Sequence, residues 1–224
     1  LVDTGAGELG SHAEQIFPGL DHSTSETGRL LSNLKAAGVH PTTVEVVVIT
    51  HAHPDHVGGT LDWAGNPVFS NADYFIARDE WQFWNSAGAA EKTSQTFVDT
   101  ALNNLNPVKN RLRLVDDGTE IVPGIEVVAT PGHTPGHIAL RVHSNGEQLM
   151  HISDVAITPI HLEHPDWRLL FDIDPDQAAA TKQAICDRLA SEKMLVFAHH
   201  FSPFPNLGTV TKQETGWQWQ PVKA

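Results

Sequence analysis

Six consecutive residues, His51-Ala52-His53-Pro54-Asp55-His56, include four side chains able to bind metal ions. Neutral imidazole nitrogens and carboxylate oxygens suit a divalent ion such as zinc, at about 2.0–2.2 Å. A tight loop can aim alternate residues at one ion and the remaining pair at a second. Further donors stand later in the chain, at His133, Asp154 and His200, with His199 competing with His200 for one role. Five histidines and two aspartates are enough for two ions with open positions. The set contains no sulfur, since the single cysteine is Cys186, so a thiolate structural site is excluded. A polar surface loop with chance histidines would not be matched by donors at three other places.

The chain carries a net charge of −13 with its histidines neutral. Nucleic-acid binding through a basic face is thereby excluded, and acidic substrates would be repelled except near a local positive centre. Two divalent ions bring about +4, Asp55 and Asp154 about −2 and a bridging hydroxide about −1, which leaves roughly +1 at the site. Such a site suits an anionic transition state, and bound metal brings the pKa of water to near 7. Asp55 and Asp154 are therefore the candidate catalytic carboxylates. The chemistry expected is hydrolysis of an ester-like bond in a small-molecule substrate.

The elements that must position these residues can be read from the pattern. Val44 to Ile49 is β-branched and nearly all apolar, a buried strand that feeds directly into His51. Val2-Asp3-Thr4-Gly5 reads as a strand end entering a glycine-rich loop. Leu30, Leu31 and Leu34 predict a helix over 25–37, stopped by Gly38. A strand is expected at Tyr74–Ala77, a short aromatic helix at Asp79–Trp84 and a longer helix over Ser94–Leu105. Strands then follow at Arg111–Val115, Ile125–Thr130, His137–Val142 and Gln148–Ile152, the last two joined by an Asn145-Gly146 turn. Asp174-Pro175-Asp176-Gln177 predicts a helix start with Asp174 as cap, Pro175 in the first turn and Gln177 completing a capping box, the helix reaching Glu192. Met194–Ala198 is a further strand ending at His199-His200, and Thr209–Gln220 is a last strand pair exposing Trp217 and Trp219. Every donor cluster follows a strand, where sites are usually carried. A length of 224 residues with 40% hydrophobic and 18% charged content suits one domain or a compact pair of fused halves. No apolar run is long enough for a membrane span. No leader is recognisable, although the abrupt start at Leu1 reads like the middle of a fold. The lone cysteine allows no intrachain disulfide and leaves the compartment undecided.

The set THAHPDH, PGHTPGH, Ser153-Asp154 and the late histidine resembles the metallo-β-lactamase superfamily over essentially the whole chain. The resemblance implies one α/β domain over residues 1–224, an αββα sandwich with metals at one edge between two sheets. It divides the ligands as His51, His53 and His133 on one ion, and Asp55, His56 and His200 on the other, with Asp154 bridging. It implies two divalent ions, zinc first and manganese, cobalt or iron as alternatives, and it allows a homodimer. Asp3 matches the early Asp that supports the metal loop from behind. LVDTG, LKAAG, VPGI and PFPNLG are closer still to methyl parathion hydrolase and its esterase and lactonase relatives. That resemblance places Trp84, Ile157 and Phe171 near the substrate pocket, the alternative for Trp84 being helix core.

Several features depart from the pattern. Ser153 stands where Gly is usual before the bridging Asp. The loop after His200 is one residue longer. The family's first strands would precede Leu1, which would leave a sheet edge uncovered. Neutral esters, lactones and phosphotriesters all fit as substrates. The main alternative is an acyl-homoserine lactonase, ahead of an iron-dependent redox member. A β-lactamase is discounted because Cys or Ser often stands at the position of Asp154 in those enzymes.

Overall fold

The computed structural model describes residues 1–7, 28–202 and 204–222. The chain divides into two compact units, Leu1–Leu114 and Val115–Ala224.

The first unit is built on a sheet of order β1 (Val46–Ile49), β2 (Asp73–Ala77) and β3 (Leu112–Val115). The VVVI run forms β1 because β-branched side chains suit a pleated strand covered on both faces, and Val47, Val48 and Ile49 are all buried. β1 and β2 pair in parallel. Val2 bridges Val48 in parallel, and Asp3 N donates to Val48 O at 2.8 Å, so Leu1–Thr4 run along the free side of β1. Around the sheet lie α1 (Leu30–Ala36), α2 (Pro54–Val57), α3 (Arg78–Trp84), α4 (Ala89–Lys92) and α5 (Gln95–Leu105). The first three residues of the helix expected over 25–37 lie outside the described residues. Ser94 caps α5 by accepting from Phe97 N. The core of this unit is Val47, Ile49, Tyr74, Ile76, Trp84 and Leu105 with their neighbours.

The second unit carries seven strands in the order β10-β9-β8-β7-β6-β5-β4: β4 (Glu120–Val122), β5 (Ile125–Ala129), β6 (Ile138–Ser144), β7 (Glu147–His151), β8 (Leu195–Phe197), β9 (Leu207–Lys212) and β10 (Trp217–Pro221). The β6–β7 hairpin turns at Asn145 (φ 52°) and Gly146 (φ 84°), the pair of left-handed residues that a two-residue turn requires. β8 joins β7 in parallel, by way of α6 (Ile160–Glu163) and α7 (Pro175–Glu192). Asp174 caps α7 by accepting from Gln177 N at 3.0 Å. The capping box is only half made, because the Gln177 amide donates forward to Thr181 Oγ1 at 3.2 Å.

Two expectations about the tail change. Trp217 is buried rather than exposed. Its Nε1 donates to Asp187 on α7 at 3.2 Å, and the Lys212 ammonium lies 3.9 Å from the ring centroid. Trp219 is half-buried, edge-on to Phe201. A strand pair looks exposed in sequence because nothing local announces that α7 covers it. Among the described residues no helix is long and apolar enough to cross a membrane.

Candidate metal centre

The donors of the first unit sit where β1 ends. Within the loop, His51 Nε2 is 3.2 Å from His53 Nδ1, and the His51 and His56 rings are 3.9 Å apart. His56 Nε2 lies 3.6 Å from Asp55 Oδ2. Two ligand atoms at about 2.0–2.1 Å from one ion, at a tetrahedral angle, stand about 3.3 Å apart. The spacing within the loop is thus that of atoms able to share a cation.

The loop is held from behind by long-range bonds. Asp3, at φ 52°, accepts from Thr50 N and Thr50 Oγ1 at 2.8 Å each, and its Oδ2 is 2.9 Å from His56 Nδ1. A carboxylate on Nδ1 fixes the tautomer and leaves Nε2 as the donor. Asp3 is thus bonded to both Thr50 and His56 at the back of the loop. Gly59 passes so close to the Thr4 carbonyl that a Cβ there would overlap it. On the other side, the fully buried Glu80 carboxylate accepts from Ala52 N at 2.8 Å and from Trp84 Nε1 at 2.7 Å. Nothing in the local sequence marks Glu80, which lies 28 residues from Ala52.

Trp84 is 0% exposed, within the core of the first unit, so its side chain offers no surface to a substrate. It is edge-on to His53 at 5.9 Å, and Phe97 approaches the same imidazole at 5.2 Å. Trp84→Ala is therefore expected to cost about 3–5 kcal/mol of stability and to leave the KM ratio between bulky and small esters unchanged. Melting curves beside two KM values check this; a shifted ratio at unchanged stability would restore Trp84 to the pocket wall.

The second unit brings its own donors to one carboxylate. Asp154 Oδ2 is 3.3 Å from His133 Nε2, and Oδ1 is 3.4 Å from His200 Nε2. Each oxygen thus faces a different imidazole. His199 Nε2 also approaches Oδ1, at 3.7 Å. Strand alternation cannot separate the two histidines, because β8 ends at Phe197 and both lie in the turn beyond it. His200 is nearer to Asp154, while the His199 ring stacks on His151 at 5.5 Å.

Asp154 and His133 are each held by residues that sequence reasoning passed over. His137 Nε2 accepts from Asp154 N at 3.0 Å, while its Nδ1 lies 2.7 Å from Thr130 Oγ1. His133 Nδ1 is 2.8 Å from Asp172 Oδ1, and Asp172 Oδ2 accepts from Leu169 N. Thirty-nine residues separate His133 from Asp172, so no motif signals the pair. Gly132, at φ 129°, lets the His133 loop run against the start of α7; a Cβ there would overlap Ala178 N. Ser153 sits at φ 46°, a left-handed position that explains why glycine suits it. Of the expected pocket residues, Ile157 is half-buried and Phe171 is 51% exposed. Cys186 is buried, which pushes its thiol up to about 12 and removes it as a nucleophile.

Imidazoles and carboxylates at cation-sharing distances, each set braced by buried partners, define a metal-dependent hydrolase. The chain belongs to the metallo-β-lactamase superfamily, whose family model matches residues 1–200. It is 28% identical over 207 residues to an N-acyl homoserine lactonase of Bacillus cereus, covering 89% of this chain and 75% of that one. Among solved structures it is similar to AidC, a dizinc quorum-quenching lactonase, with TM-score 0.87, 30% identity and coverage of 100% of this chain and 75% of that one. It is also similar to the hydrolase AbOPH of the β-lactamase superfamily, with TM-score 0.84, 29% identity and the same coverages. The mixed α/β sheets described above are those of the metallo-β-lactamase fold.

Proposed function

We propose that this chain hydrolyses ester-like bonds in small neutral molecules with two divalent ions, zinc first, and that N-acyl homoserine lactones are its preferred substrates. His51, His53, Asp55, His56, His133, Asp154 and His200 are the ligands. The observation that carries the reading is the donor spacing of 3.2–3.6 Å within each set, which fits shared cations. When bound, the ions supply a nucleophile from water at neutral pH and polarise the carbonyl. Asp154 turns one oxygen to each side, and Asp3 and Asp172 hold His56 and His133 by Nδ1. Ile157 and Phe171 follow Asp154 in the same unit and offer apolar surface for an acyl chain.

The lactone stands first because lactonases are among the relatives in both sequence and structure. The resemblance to methyl parathion hydrolase rests on short motifs, which keeps phosphotriesters as a comparison substrate. Zinc-loaded protein should be assayed on N-hexanoyl homoserine lactone, p-nitrophenyl acetate and methyl paraoxon. We expect kcat/KM for the lactone to exceed the others by about 100-fold or more. A preference of that size for paraoxon or the aryl ester would replace the lactone. No hydrolysis of any of them by protein holding two zinc ions would end the hydrolase reading.

A further inference from the structure

Lys182 lies on the inner face of α7 among Ala179, Ile185, Cys186 and Leu189, and is only 4% exposed. Lysine is almost never so buried unless it is paired, because removing an ammonium from water is costly. A leucine or methionine would fill this helix face without that cost. The Lys182 ammonium donates to the Trp167 carbonyl at 3.0 Å. With Asp172, His133, Thr130, Thr181 and His161 it lines a small cavity of about 10 Å³, near the least that holds one water. Burial lowers the pKa of the ammonium, and the charge of Asp172 opposes that shift. The turn from Trp167 to Asp172 is thus tied at two points. Lys182 holds it at Trp167, and Asp172 holds it at Leu169.

We propose that Lys182 is a positioning residue for the metal centre: it stakes the turn that carries Asp172 and places a positive charge on the same small cavity as that carboxylate, so that Asp172 stays aligned on His133 Nδ1. This rests on the reading of His133 as a metal ligand. An imidazole that ligates through Nε2 must donate from Nδ1, and a displaced acceptor would let the ring rotate away from the ion. Lys182 acts through Asp172, so the two residues should not contribute independently.

The test is zinc affinity, measured by competition with a chromophoric chelator, in wild type, Lys182→Met, Asp172→Asn and the double variant. Lys182→Met should weaken the affected zinc about 10-fold, within the 10–100-fold range for partners behind a ligand. Asp172→Asn should do as much or more, and the double variant should lie within about twofold of Asp172→Asn. Lys182→Gln keeps a donor for Trp167 without the charge and should fall between wild type and Lys182→Met. If Lys182→Met does not fold, the cycle of Lys182→Gln with Asp172→Asn is read in the same way. Wild-type affinity in Lys182→Met, or losses that simply multiply in the double variant, would overturn the inference while leaving His133 as a ligand. Zinc affinity unchanged by His133→Ala would instead remove the ligand reading, and this inference with it.

Discussion

Asp154→Ala is expected to lower kcat/KM by about a thousandfold or more and to reduce bound metal from two ions to one or none. The carboxylate faces His133 with one oxygen and His200 with the other, at 3.3 and 3.4 Å. Two divalent ions about 3.5–4 Å apart repel strongly. At an effective dielectric of 20, one pair of unit charges at 4 Å amounts to about 4 kcal/mol, and divalent charges multiply that fourfold. A bridging anion offsets much of this repulsion, and alanine supplies none. Asp154→Asn keeps the shape but loses the charge, so it should resemble alanine in metal content. Elemental analysis beside initial rates checks both. A variant holding two ions at the wild-type rate would place the bridge elsewhere.

Stripping the protein with a strong chelator should abolish turnover and lower the melting temperature. An ion present at about 1,000 times its dissociation constant stabilises the folded state by about 4 kcal/mol. For a chain of this size each kcal/mol shifts the midpoint by about 2–4 °C, so a fall of roughly 8–16 °C is expected for each tightly held ion. Two equivalents of zinc should restore rate and midpoint together. Full activity after removal of all metal would contradict the metal-dependent reading. Restoration by iron alone, with an oxidised product, would move the chain to the redox branch of its superfamily.

Local sequence determined a good deal. The run VVVI can form only a buried strand, and the residues directly after it must leave the strand end together. The histidines of the HAHPDH loop therefore reach one place, whatever the rest of the chain does. The Asp174-Pro175 start of α7 and the Asn145-Gly146 turn were legible for the same reason, since capping and positive φ are requirements of a few adjacent residues. The family pattern pointed to Asp3, whose carboxylate is bonded to Thr50 and His56.

Only the tertiary structure decided what stands behind the donors. Glu80 reaches Ala52 across 28 residues and Asp172 reaches His133 across 39, and neither residue differs in sequence from an ordinary surface carboxylate. Trp84 reads as either pocket wall or helix core, and Trp217 as surface, until the elements covering them are in place. His199 and His200 could not be ranked by strand alternation once β8 stopped at Phe197. The reason is common to all of these. Periodicity and capping report on neighbours within a turn or two of chain, whereas burial and hydrogen-bond partners are set by segments that meet only when the sheet and helices close. The donor motifs of this protein were therefore local and readable, and the bracing behind them was long-range and was not.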